Sequence, residues 1–103
     1  MIASNKRIEL TALKEVVAQV EASPKIKAFC IIPTGDTAAD EHAYWLAVRL
    51  NATRFGFWVI GDSPTIKFVD NQFKKITKWI YDENEIADPN VIKLNARKLF
   101  PCN

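Results

Sequence analysis

The chain reads as α+β, an N-terminal helix followed by elements in the order β-α-β-β-α-β, and three observations lead there. Residues 26–32 are apolar almost without interruption and stop at Pro33-Thr34-Gly35-Asp36, the pattern of a strand covered on both faces. Apolar residues at helical spacing flank that strand on either side. The length of 103 residues, with 49% apolar and 25% charged, suits one domain with its own core.

Apolar residues at 8, 10, 12, 13, 16, 17 and 20 fill about half a helix circumference, so the first helix covers this stretch. Arg7-Ile8-Glu9-Leu10 also alternates like a strand, in which case Thr11 caps a helix beginning at Ala12. Ser23-Pro24 ends it, because the residue before proline is pushed out of the helical region. After the strand at 26–32, Thr37-Ala38-Ala39-Asp40 matches a capping box, with Glu41 adding charge to the first turn. The second helix runs to Leu50 on a stripe of Ala39, Ala43, Leu46, Ala47 and Leu50, widened by Tyr44, Trp45 and Val48.

Residues 54–60 form a second strand, apolar on both alternating faces. Gly61-Asp62-Ser63-Pro64 reads as a turn and residues 65–69 as the hairpin mate, with Ile66 and Phe68 on one face. Asp70 then caps a third helix to Asp82, which buries Phe73, Ile76 and Ile80 and exposes Lys74, Lys75 and Lys78. A turn at Asp88-Pro89-Asn90 precedes a last strand over 91–94. The organisation is a single domain over 1–103: an N-terminal helix in 1–23, the α/β sandwich in 24–95 and a tail in 96–103.

This order is that of the split βαβ, or ferredoxin-like, sandwich. Such a sandwich leaves one sheet face bare, so the N-terminal helix or a second subunit is expected there. The alternative is a small α/β mixed sheet, in which the first two strands pair in parallel through a right-handed crossover.

Composition narrows the function. The net charge is +2, and the excess lies in residues 51–103, which hold eight Lys/Arg against six Asp/Glu. That is far from the dense basic patch of a dedicated nucleic-acid binder. Cys30 lies in the first strand and Cys102 in the tail, so both are read as reduced thiols. Met1 to Leu10 carries no secretory signal and no stretch is long enough for a membrane span, which points to the cytoplasm.

Chemistry-bearing clusters are sparse. Thr34-Gly35-Asp36-Thr37 lacks the lysine and glycine spacing of a phosphate loop, and Asp36, Asp40 and Glu41 would repel an anion, so it reads as a turn and cap. Asp40, Glu41 and His42 diverge around a helix and read as a solvated helix end. No catalytic, metal or cofactor residues are assigned, and an enzyme built around 34–42 is the least supported class. Arg54-Phe55-Gly56-Phe57 lacks the glycine that follows the basic residue in the RNA recognition motif, and its rings are assigned to the core.

What remains is a surplus of large aromatic residues, which are favoured anchors at protein interfaces. The expectation is a binding module that docks on another protein, with a second copy of the chain as one candidate. Tyr44 and Trp45 are the expected anchors, Lys74 and Lys78 steer the encounter, and Trp79 borders the lysine face. The alternative is a nucleic-acid binder using Lys74, Lys75 and Lys78 of the third helix.

Overall fold

The computed structural model describes residues 7–101. The reading of Cys102, and most of the N-terminal stretch examined for a signal, fall outside the described residues. Helix α1 (Leu10–Ala22) is capped by Glu9 rather than Thr11, its carboxylate accepting from the N–H groups of Thr11 and Ala12 at 3.1 Å each. Strand β1 (Ala28–Ile32) leads into α2 (Thr37–Arg49), and the short helix α3 (Ala52–Phe55) turns the chain into β2 (Phe57–Ile60). Helix α4 (Pro64–Phe73) and strand β3 (Lys78–Ile80) follow. A single 3₁₀ turn (Glu83–Ile86), strand β4 (Val91–Asn95) and the four-residue helix α5 (Ala96–Leu99) complete the described chain.

The four strands lie in the order β3-β2-β1-β4, and every pair is parallel. The ferredoxin-like order therefore does not hold. Its middle hairpin would need 65–69 to be a strand, and those residues are the body of α4. Ser63 accepts from the N–H of Ile66 at 3.2 Å and Pro64 occupies the first turn, so the expected turn is a helix start. Ile66 and Val69, three residues apart, are the buried face of that helix.

The expected third helix over 70–82 does not form either. Lys74 ends α4 in the left-handed conformation at φ 51°, and one oxygen of Asp70 takes the N–H groups of Lys75 and Ile76 at 2.7 and 2.9 Å. That capture frees 78–80 to become an edge strand. The expected tail is also ordered through Pro101: Asn95 caps α5, and Leu99 and Phe100 are buried. No helix among the described residues is long and apolar enough to cross a membrane.

Two unequal apolar layers hold the sheet. Phe29, Ile31, Phe57, Val59, Ile92 and Leu94 alternate onto one face, where they pack with Ala12 and Val16 of α1, Ala43, Tyr44 and Ala47 of α2, and Leu99. The N-terminal helix thus joins the other helices and does not cover the opposite face, contrary to expectation. That opposite face presents Cys30, Ile60, Ile80 and Val91, and its cover is the connection from β3 to β4, which plugs it with Ile86. Crossing beneath the sheet keeps this connection right-handed while it carries the chain past β2 and β1.

Electrostatic clasps fix the crossover at two points. Lys78 donates to Glu85 at 2.8 Å, and Lys27 lies 3.9 Å from Asp88. Both ammonium groups also sit over the ring of Trp58, at 4.9 and 5.7 Å from its centroid. The Ser23 hydroxyl adds a bond to the Pro89 carbonyl at 2.9 Å.

Candidate binding surface at the amino ends of the strands

A parallel sheet collects all its strand starts at one rim, and the helices that connect neighbouring strands end at that same rim. Lys25 and Lys27 lead into β1, Arg54 and Phe55 lead into β2, and Lys74 and Lys75 lead into β3, while Arg49 ends α2. The opposite rim holds the helix starts, with Asp36, Asp40 and Glu41 at α2 and Asp62 just before α4. Each arrangement favours its helix dipole, with cations at carboxyl ends and anions at amino ends. The consequence is a predominantly basic rim at the amino ends of the strands, whereas the carboxyl rim is mixed, because Arg97 and Lys98 follow β4 there.

Several rim cations are uncommitted. Among the described residues Lys25, Arg49, Arg54, Lys74 and Lys75 form no ion pair, whereas Lys27 and Lys78 are tied to the crossover. Aromatic rings stand among them. Trp45 is 38% exposed and meets Phe73, itself 46% exposed, edge to face at 5.0 Å. Phe55 is 42% exposed, rests against Phe29 at 5.9 Å, and has the Arg54 guanidinium 5.7 Å from its centroid.

Tyr44 supports this surface from below and is not part of it. The sequence placed it among the docking anchors, but it is wholly buried, against Phe57 at 5.2 Å and Trp45 at 5.1 Å. Its hydroxyl donates to Asp70 at 3.0 Å, and burial, then the Asp70 bond, push its ionisation well above the usual range for a phenol. Because Asp70 also holds the Lys75 and Ile76 amides, the bond from buried Tyr44 to half-buried Asp70 fixes the turn that displays Lys74 and Lys75.

The other expected docking residues are dispersed. Trp45 and Lys74 come together at the rim, whereas Lys78 and Trp79 occupy successive positions of β3 and point to opposite faces. Lys78 is engaged by Glu85 and Trp58. Trp79 is half-buried against the helical layer, with Lys67 5.4 Å above its ring. Phe55, Phe73, Lys25 and Arg54 were not expected at the surface site; the available signal was their shared position just before strands of a parallel sheet.

The carboxyl rim is braced internally. Asp36, rather than Thr37, caps α2, accepting from Ala39 at 3.0 Å. Asp40 is fully buried, which overturns its reading as part of a solvated helix end. One of its oxygens takes the Thr34 N–H at 2.8 Å and the Thr34 hydroxyl at 3.2 Å, and the other takes the Gly35 N–H at 3.1 Å and the Ser63 hydroxyl at 3.2 Å. A single carboxylate thus ties the loop after β1 to the loop after β2. Gly35 and Gly61, at φ 91° and 85°, let those loops turn through the left-handed region. His42 points elsewhere, with Nδ1 2.7 Å from the Ala38 carbonyl and its ring 5.2 Å from Phe100. Comparison of the chain with protein-family models, with curated proteins and with solved structures finds no match.

Proposed function

We propose that the protein is a docking module that engages another protein through its basic rim. The observation that carries this reading is the exposed Trp45–Phe73 pair set among cations that form no ion pair among the described residues. Aromatic anchors ringed by charge are the usual build of an interface hot spot, in which the ring supplies affinity and the charges steer the encounter. The partner would offer an apolar recess edged with carboxylates. A symmetric dimer through this rim would set its own cations against each other, so a different, acidic protein is the better occupant than a second copy.

Affinity capture from lysate tests the reading when the eluate is compared before and after nuclease treatment. A stoichiometric protein should survive nuclease, be lost with Trp45→Ala, and weaken with Lys74→Glu and Lys75→Glu. Retention of that protein by Trp45→Ala would refute the anchor. A second reading, single-stranded nucleic acid, is favoured by the exposed rings of Phe55 and Phe73 beside cations, since bases stack while phosphates pair. Material lost on nuclease treatment, with affinity falling steeply as salt rises, would favour that alternative.

A further inference from the structure

The basic rim has a second side, on the sheet face that the β3–β4 crossover traverses. Trp58 and Lys78 are direct cross-strand neighbours on that face, and the Lys78 and Lys27 ammonium groups lie 4.9 and 5.7 Å from the Trp58 ring centroid. The indole nitrogen sits beside Gly56, immediately before β2, where an added Cβ would come within 3.2 Å of it. That N–H makes no hydrogen bond among the described residues and is not buried, so it remains a donor. Two ammonium groups and one indole N–H thus gather at the amino ends of β1, β2 and β3, the same rim that carries Lys74 and Lys75.

The chain's own carboxylates already occupy this trio. Residues 81–90 contain Asp82, Glu83, Glu85 and Asp88 and no Lys or Arg. Glu85 accepts from Lys78 at 2.8 Å and Asp88 lies 3.9 Å from Lys27, with all four side chains between 36% and 59% exposed. Ion pairs this exposed hold weakly, so one carboxylate exchanges readily for another. The crossover does not depend on them for its place, because Ile86 plugs the sheet face and the Ser23 hydroxyl donates to the Pro89 carbonyl at 2.9 Å. Glu85 can therefore swing off Lys78 while the backbone stays seated.

We propose that Glu85 and Asp88 are built-in competitors for the partner, masking Lys78, Lys27 and Trp58 until an acidic segment of that partner displaces them. The proposal rests on docking at the basic rim and extends that surface around the sheet edge onto its other face. Carboxylates spaced along a peptide are the chemistry these residues hold at rest, and the same chemistry is expected of the incoming segment.

The test is titration of the ¹⁵N-labelled full chain at low salt with hexaglutamate, following backbone amides and the Trp58 indole N–H, which is identified by its loss in Trp58→Phe. Glu85→Gln is the variant to compare, because Asp88 also accepts from the Asn90 N–H at 2.8 Å and shapes its turn. It should tighten hexaglutamate by roughly two- to fivefold and enlarge the shift of the Trp58 indole. The gain should shrink in a Lys78→Gln background, whereas a plain change of net charge would give the same gain with or without Lys78. Hexaglutamate that shifts the Lys74 and Lys75 amides but is not tightened by Glu85→Gln, is tightened equally in both backgrounds, or leaves the Trp58 indole unmoved would overturn the masking and leave the rim reading in place. No saturable shift in either protein by about 10 mM would remove the acidic-partner reading and the masking together.

Discussion

Removing the Asp40 carboxylate should cost a large share of the stability of this domain. The side chain is fully buried and accepts from two backbone N–H groups and two hydroxyls in two separate loops. In Asp40→Ala the hydroxyls of Thr34 and Ser63 can rotate to other acceptors, but the N–H groups of Thr34 and Gly35 lose theirs. Each stranded donor costs about 1–3 kcal/mol, which for two gives a loss of about 2–6 kcal/mol. Total stabilities of about 5–15 kcal/mol make that a substantial fraction. The matching fall in melting temperature is about 10–30 °C for a chain of this size. Asp40→Asn separates charge and acceptor count from volume, since its amide keeps one acceptor and turns an NH₂ toward existing donors; a loss approaching that of alanine is expected. Urea denaturation of wild type, both variants, Ser63→Ala and the double variant measures the loss and the coupling between the loops. If Asp40→Ala unfolds within about 0.5 kcal/mol of wild type, the carboxylate does not brace the rim and the argument fails.

Two further perturbations probe other parts of the fold. Lys74 sits in the left-handed region at φ 51°, so Lys74→Gly should stabilise by about 0.5–1 kcal/mol in urea melts, and a loss of stability would contradict the conformational argument. Burial pushes the Cys30 thiol up from 9.0 to about 12, only partly offset by a backbone bond at Ile60 and by the Lys93 charge. The unfolded chain therefore releases this proton first, and stability should fall as pH rises from about 9 toward 12, by up to about 1.4 kcal/mol per pH unit. Cys30→Ala should remove the fall that begins near pH 9, leaving the fall above about pH 10 that the raised Tyr44 hydroxyl adds; an unchanged profile between about pH 9 and 10 would rule the thiol out as its source.

Elements with one dominant signal were legible in the sequence. The expected strand at 26–32 is β1, the helix from Thr37 is α2, and the strand at 91–94 is β4 with one residue added. The failures share a cause, competition between two periodicities in one stretch. Thr65-Ile66-Lys67-Phe68-Val69 alternates like a strand, but Ser63-Pro64 starts a helix, and the buried pair Ile66 and Val69 obeys the helical spacing. Phe73, Ile76 and Ile80 are spaced like a helix, yet Asp70 takes the amides that would continue one. The error at 65–69 put a hairpin into the leading layout, while the alternative layout did pair β1 with β2 in parallel, as the structure has them. The surface was misjudged for a related reason. Trp45 packs on Phe73, the residue before Lys74, but placing Tyr44 and Asp40 required knowledge of which helix face the sheet covers, and only the strand order supplies that.

The backbone N–H of Glu9 donates to the carbonyl of Leu99 at 2.7 Å, so the two ends of the described chain lie side by side. Leu99 follows the carboxyl end of β4, and Glu9 begins the helix whose far end turns back into β1. Both described ends therefore lie at the carboxyl rim, opposite the basic one. A tag, bead or neighbouring polypeptide held close to either of them would sit at that rim and leave the basic rim uncovered. An immobilised domain would present the rim without further orientation, and a tethered cargo would lie on the side away from its partner.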